Sequence, residues 1–159
     1  MGETPYFPLF FRLKGRKILV AGGGTIACRR VRVLLEFQPE ITVAAPEFYR
    51  EMEELAAQGR LTLLRTEARK VRFQGIFLFL ACTDDPEENH RLCEQARAAG
   101  ALANNCSLKE DCDFYFPSVV RKGETVIGIN AGGTDHSKVK TLRRELETFL
   151  DAPGTYEKG

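Results

Sequence analysis

Apolar and polar positions change period repeatedly along the chain, and each change marks an element. Lys17–Ala21 is apolar and branched after its first lysine, too short for a helix and closed by glycine, which predicts a buried parallel strand. Helical spacing governs residues 26–37: Ala27, Val31, Leu34 and Leu35 share a face, Arg29, Arg30 and Arg32 fall mostly elsewhere, and Pro39 ends the run. Residues 41–45 predict a second strand and residues 48–58 a helix closed by Gly59. Residues 61–66 alternate Leu61 and Leu63 with Thr62, as on a half-buried edge strand, whereas residues 75–81 are apolar throughout and predict a central strand. Asp85-Pro86-Glu87-Glu88 reads as a helix start: Asp85 caps, Pro86 takes the first helical position and Glu88 completes a capping box. That helix buries Leu92, Cys93 and Ala96 and ends at Gly100, before a short strand at residues 101–104.

Strand–helix–strand units with short connections form right-handed crossovers, and these build a parallel sheet covered on both faces. The expected fold is therefore α/β, a Rossmann-like doubly wound sheet. After Asn104 the pattern changes. Residues 114–120 and 125–130 are apolar runs separated by Arg121-Lys122-Gly123-Glu124, a hairpin-length loop. A last helix at residues 137–150 carries Val139, Leu142, Leu146, Phe149 and Leu150 on one face, either as core or as a contact between copies. The expected organisation is a sheet domain over residues 1–113, a hairpin and helix over 114–150, and a loose polar tail over 151–159.

Composition narrows the function. Charges cancel to a net +1 over 159 residues, which argues against a nucleic-acid binder. No apolar run reaches membrane-spanning length and the first charged residue is the acid Glu3, so neither membrane nor secretory signal is expected and the cytoplasm is the default location. Five scattered cysteines (Cys28, Cys82, Cys93, Cys106, Cys112) read as reduced core thiols. Cys106 and Cys112 match no common zinc spacing and both histidines lie far from them, so no metal is expected.

The candidate chemistry begins at Gly22-x-Gly24-x-x-Ala27, the G-x-G-x-x-A form of the dinucleotide fingerprint, here between a strand and a helix. Gly22 permits the turn, Gly24 lets a pyrophosphate approach the main chain beside Gly23, and Ala27 allows close packing. The helix opening at Thr25 and Ile26 points free N–H groups at the phosphates. A packing turn without ligand is the alternative. The ribose would meet Ala45, Pro46 and Glu47 at the end of the second strand, through the slightly late Glu47 carboxylate or through main-chain groups. Arg50 is either a partner for a 2′-phosphate or a solvated surface arginine, and NAD is favoured over NADP. Thr83 and Asp84 follow a strand at the edge where such sheets bind ligands, with Asp85 reserved for capping.

The order of these pieces resembles a known family. The stretches YFPLFFRLKGRKILVAGGGTIACRRVRVLLE, ITVAAPEF, LFLACTDDPEENHRLCEQARAAGALANNCS, DFYFPSVVRKGETVIGINAGGT and TLRRELE are similar to the precorrin-2 dehydrogenases of sirohaem and cobalamin synthesis. The same domain forms the N-terminal part of multifunctional sirohaem synthases. The resemblance implies NAD⁺-dependent oxidation of precorrin-2 to sirohydrochlorin, sometimes with iron chelation in the same site, in a homodimer built through the hairpin-and-helix region. By position it implies cofactor contacts at Gly22, Gly24, Thr25, Ile26, Pro46, Glu47 and Thr83, and tetrapyrrole contacts at Asn104, Pro117, Asn130, Gly132 and Gly133.

The sequence departs from this family in three places. The N-x-x-D motif, whose Asp is the family's candidate acid–base group, reads Asn104-Asn105-Cys106-Ser107, so Ser107 stands in the catalytic position. Asp111 and Asp113 in the same loop are either substitutes or ordinary surface acids. The G-G-T-S-P pattern reads Gly132-Gly133-Thr134-Asp135-His136, making His136 a base, a metal ligand or a plain helix-leading residue, and Asp135 a cap. Relatives continue into a further helical region, whereas this sequence ends soon after LRRELETFL, so another polypeptide completes the site or the macrocycle sits more openly. Two functions remain open to such a chain: a dehydrogenase with weak or absent chelatase activity, or a module that binds NAD(H) or a tetrapyrrole without turnover. A reductase of an unrelated small substrate is a third.

Overall fold

The computed structural model describes residues 5–132 and 136–152. They divide into two compact units, one of residues 11–114 and one joining residues 5–10 to the chain from Tyr115 onward.

The larger unit is a five-stranded parallel sheet in the order β3-β2-β1-β4-β5, with β1 at Lys17–Ala21, β2 at Glu40–Ala45, β3 at Thr62–Arg65, β4 at Leu78–Ala81 and β5 at Leu102–Asn105. Helices α1 (Thr25–Leu35), α2 (Arg50–Ala57) and α3 (Pro86–Ala98) follow β1, β2 and β4. β1 holds the centre, with Val20 in register with Val43 on one side and Leu80 on the other. The apolar run at residues 75–81 thus makes an interior strand beside the central one, and β3 is the half-exposed edge. The strand order reverses between β1 and β4. Right-handed crossovers send the chain leaving β1 and the chain leaving β4 to opposite faces, and a crevice opens at their carboxyl ends.

Leu19, Phe79, Leu92 and Cys93 pack in one core cluster, with the Phe73 ring edge-on to Phe79 at 5.2 Å between centroids. A fully buried side chain of this size contributes about 1.5–3 kcal/mol. α1 buries Ala27, Cys28, Val31 and Leu34, and it stops at Leu35 because Gln38 turns to φ 57° ahead of Pro39. α2 starts later than the apolar period suggests, at Arg50, because the Tyr49 N–H donates to the Gly23 carbonyl at 2.7 Å and keeps residues 46–49 out of the helix. Asp85 caps α3 as expected, accepting from the Glu87 and Glu88 N–H groups. The capping box is closed differently: the Asp85 N–H goes to the Thr83 hydroxyl at 3.3 Å, while Glu88 turns toward Arg91.

In the smaller unit, β6 (Ser118–Lys122) and β7 (Thr125–Ile129) form an antiparallel hairpin across Gly123-Glu124, followed by α4 (His136–Asp151). Pairing begins at Ser118 rather than residue 114 because Pro117 has no N–H to give a ladder. Val120, Ile129 and Leu150 form its core with Ile127, Val139 and Leu146, while Leu142 and Phe149 of the same helix stay exposed. Of the loose tail expected over residues 151–159, Asp151 is instead the last residue of α4, its side chain on the Lys122 ammonium at 2.7 Å, and residues 153–159 lie outside the described residues.

Candidate functional site

A cavity of about 600 Å³ opens at the carboxyl ends of β1, β2 and β4. Its floor is the glycine run, and the three glycines do different work. Gly22 has φ +109°, and a Cβ there would run into the Cys82 carbonyl, 2.6 Å from its carbon. A Cβ at Gly23 would lie 3.0 Å from the Glu47 carbonyl carbon, closer still to its oxygen, and 3.1 Å from the Phe48 Cα. Both positions press main chain against main chain, which only glycine allows. Gly24 is the opposite case: its φ of −83° suits any residue, and a Cβ there would meet nothing within 4 Å. It is also the N-cap of α1 and makes no side-chain cap bond. The N–H groups of the first turn have no intrahelical acceptor. Bare main chain with donor groups and the positive end of an 11-residue helix therefore face open space. These features fit a diphosphate.

Gly22, Gly23, Gly24 and Thr25 line this cavity on one side, and Ala45, Pro46 and Glu47 on another. Ile26, the second residue of α1, is 52% exposed. Arg50 does not line the cavity; its guanidinium pairs with Glu54 along α2 at 2.9 Å. Thr83 and Asp84 line the third side.

Thr83 is held by a residue absent from the sequence-based candidates, Asn89. This side chain is fully buried, and its Oδ1 accepts from the Thr83 N–H (3.0 Å) and hydroxyl (2.7 Å). Its Nδ2 donates to the Thr83 carbonyl at 3.0 Å and to the Ser107 hydroxyl at 2.6 Å. One amide thus ties the exit of β4 to the loop after β5. The signal was present: Asn89 occupies the same stripe of α3 as Leu92, Cys93 and Ala96, and a polar group on a buried stripe demands partners.

The loop after β5 holds its acids tightly. Asp111 accepts from Arg97 (2.8 Å), Asn105 (2.9 Å) and His90 (2.9 Å). Burial pushes its carboxyl up, but these three donors outweigh it and hold it below its ordinary value. Asp113 receives Arg97 at 2.9 Å and the Ala103 N–H at 2.7 Å. Ser107 is exposed, its hydroxyl accepting from Asn89 and its N–H donating to Asn105 at 2.9 Å. Asn104 is buried, with its amide oxygen on Arg30 and its nitrogen on the Phe114 carbonyl at 2.8 Å.

In the smaller unit Pro117 is half-buried, and the Asn130 side chain accepts the N–H of Gly132 at 2.8 Å, shaping a turn with Gly132 at φ 66°. Gly133 and the His136 side chain lie outside the described residues. Among the described residues no cluster of His, Cys, Asp or Glu is arranged to hold a metal ion, and no helix is long and apolar enough to cross a membrane.

Residues 9–118, most of the chain and every residue lining the cavity, match the NAD_binding_7 family, described as NAD(P)-binding. The chain belongs to this NAD(P)-binding family. Similar proteins include the siroheme synthase of Nitrosococcus oceani, 32% identical over 145 residues (91% of this chain and 31% of that one). The siroheme synthase of Neisseria meningitidis serogroup B is 33% identical over 145 residues, with 91% and 30% covered. The NAD(P)-binding chain therefore spans about three-tenths of the length of these curated relatives. Among solved structures, SirC, a precorrin-2 dehydrogenase, superposes with a TM-score of 0.77 at 28% identity, covering 92% of this chain and 72% of that one. The Rossmann-like sheet followed by a hairpin and helix is thus a fold the NAD(P)-binding chain shares with SirC.

Proposed function

We propose that this chain is a precorrin-2 dehydrogenase that oxidises precorrin-2 to sirohydrochlorin with NAD⁺, working in the cytoplasm as a homodimer joined through the hairpin and α4. The observation that carries this is the reach of the likeness to SirC: it covers 92% of the chain, so it extends past the dinucleotide cradle into the hairpin and last helix.

Bound NAD⁺ would supply the chemistry of a hydride acceptor for a ring carbon of the substrate. The chain's own contribution is placement and electrostatics. The N–H groups opening α1 hold the diphosphate over Gly24, and Ala45, Pro46 and Glu47 receive the adenosine ribose. The ion pair of Arg50 with Glu54 leaves no arginine of α2 turned toward a 2′-phosphate in this cavity, in keeping with NAD. Asn89 fixes Thr83 and, through it, the main chain beside Asp84 on the nicotinamide side.

A proton is also released as the macrocycle gains conjugation. Ser107 occupies the position of the family's acid, and Asp111 and Asp113 are both spent on Arg97, so the proton passes to water at the exposed loop. Metal insertion must strip protons from pyrrole nitrogens and needs a free base, so chelatase activity is expected to be weak or absent. The missing carboxylate also supports an alternative, a module that binds NAD(H) or the tetrapyrrole without turnover.

Anaerobic incubation with precorrin-2 and NAD⁺ separates the two. The dehydrogenase yields NADH absorbance and the sirohydrochlorin spectrum together, and Ser107→Asp raises the rate by restoring a base. Binding of NAD⁺ without turnover in either form would overturn the enzyme.

A further inference from the structure

Cys82 and Cys106 take no part in the chemistry above, yet the sheet brings them face to face. Ala81 of β4 is in register with Asn105 of β5, and each cysteine is the next residue along its strand's exit. Paired strands lie about 4.7–4.9 Å apart, inside the Cα spacing of about 4.4–6.8 Å that a disulfide requires. The Cys106 N–H bonds the Ala81 carbonyl at 2.9 Å, so the pairing persists up to the two thiols. Their Sγ atoms are 2.6 Å apart, and both residues are free thiols.

The remaining thiols are placed differently. Cys112 is occupied by the main chain of Asn105, which donates to its Sγ at 3.2 Å and accepts from it at 3.3 Å. Cys93 is fully buried, and burial pushes its thiol up to about 12. Cys28 is buried on α1, and burial with the nearby Glu51 raises it too. Cys106 alone combines partial exposure with a lowered thiol, held down by the hydrogen bond from Cys82 and by the Arg30 guanidinium.

We propose that Cys82 and Cys106 are a two-thiol modification site, closed to a reversible disulfide by low-molecular-weight disulfides of the glutathione type. The Cys106 thiolate attacks one sulfur of oxidised glutathione, forming a mixed disulfide and expelling one glutathione thiolate. Cys82 then loses its proton to that thiolate and attacks the Cys106 sulfur, which releases the second glutathione as thiolate. The protein gives up two electrons and the glutathione disulfide receives them. Cys82 lines the cavity and its carbonyl backs Gly22, so the bond forms at the wall of the coenzyme cradle. The pairing itself does not depend on which coenzyme or substrate that cradle takes.

Trypsin places each of the five cysteines in a separate peptide, with Cys82 in residues 73–91, Cys106 in 98–109 and Cys112 in 110–121. After incubation with oxidised glutathione, free thiols should fall from five to three per chain and a non-reducing digest should show 73–91 joined to 98–109. Dithiothreitol should reverse both, Cys106→Ser should abolish the cross-link, and Cys112→Ser should leave it intact. A cross-link between 98–109 and 110–121, glutathione persisting on Cys106, or no loss of thiols in the wild-type chain would overturn the proposal.

Discussion

Adding one methyl group at Gly23 or at Gly24 should have opposite consequences, although the two residues are neighbours. At Gly23 the new Cβ meets only main-chain atoms of residues 47 and 48, none able to swing aside. The loop after β2 must retreat, which costs about 1–3 kcal/mol as overpacking. The retreat also strains the bond from the Tyr49 N–H to the Gly23 carbonyl, itself contributing about 0.5–1.5 kcal/mol. Together these predict a loss of roughly 2–4 kcal/mol, and a domain of this size loses about 2–4 °C in Tm for each. At Gly24 the methyl enters open space with no backbone strain, and stability should change by at most about 1 kcal/mol, the difference between Gly and Ala as an N-cap. That open space is where the diphosphate is expected. Losing one charge-assisted bond there removes about 1.5–3 kcal/mol of affinity, a weakening of about 10- to 150-fold. Thermal melts and NAD⁺ titration calorimetry on Gly23→Ala and Gly24→Ala read both effects. A Gly24→Ala chain that binds NAD⁺ like the wild type would refute the cradle, and a Gly23→Ala chain of unchanged Tm would refute the packing argument.

Asn89→Ala removes the amide that serves Thr83 and Ser107, leaving part-buried Thr83 groups without their partner. A loss of about 2–4 kcal/mol is expected, seen as a fall of roughly 5–15 °C in the melt; a fall below about 2 °C would mean water replaces the side chain at no penalty. The His90–Asp111 pair predicts a pH dependence. The hydrogen bond and charge of Asp111 raise His90 above its ordinary 6.5, so its stabilisation is complete below that value and fades as pH rises through the raised one. Asp111 is held below its ordinary 3.8, so its contribution is complete above that pH and fades as pH falls through the lowered value. Urea midpoints should therefore decline as pH rises past 6.5 in the wild type, and the decline should flatten in His90→Gln; equal slopes in the two chains would show that the pair is unlinked to folding.

Much of the coenzyme side was legible in the sequence because its signals are local. The run Lys17–Ala21, the glycines after it and the Asp85 cap each lie within a few residues of the partners that explain them. What escaped detection depends on contacts distant in sequence. Asn89 stands out as a polar residue on the apolar stripe of α3, but what it ties together is set only when Ser107, 18 positions away, is brought beside it. Cys82 and Cys106, 24 positions apart, meet only through the register of β4 on β5. Asp111 and Asp113 of the loop after β5 look free in the sequence, and only the fold delivers Arg97 to both. On α4 the apolar period is real, but packing uses only part of the stripe and leaves Leu142 and Phe149 outside.

The loop leaving β1 is fastened on both flanks, by the Gly22 N–H on the Ala44 carbonyl, the Cys82 N–H on the Ala21 carbonyl and the Tyr49 N–H on the Gly23 carbonyl. Its shape is thus fixed when the sheet folds, before any nucleotide arrives. The entropy of ordering this segment belongs to folding and is not subtracted again from association. Capture at the phosphate end should therefore proceed as docking onto a finished surface.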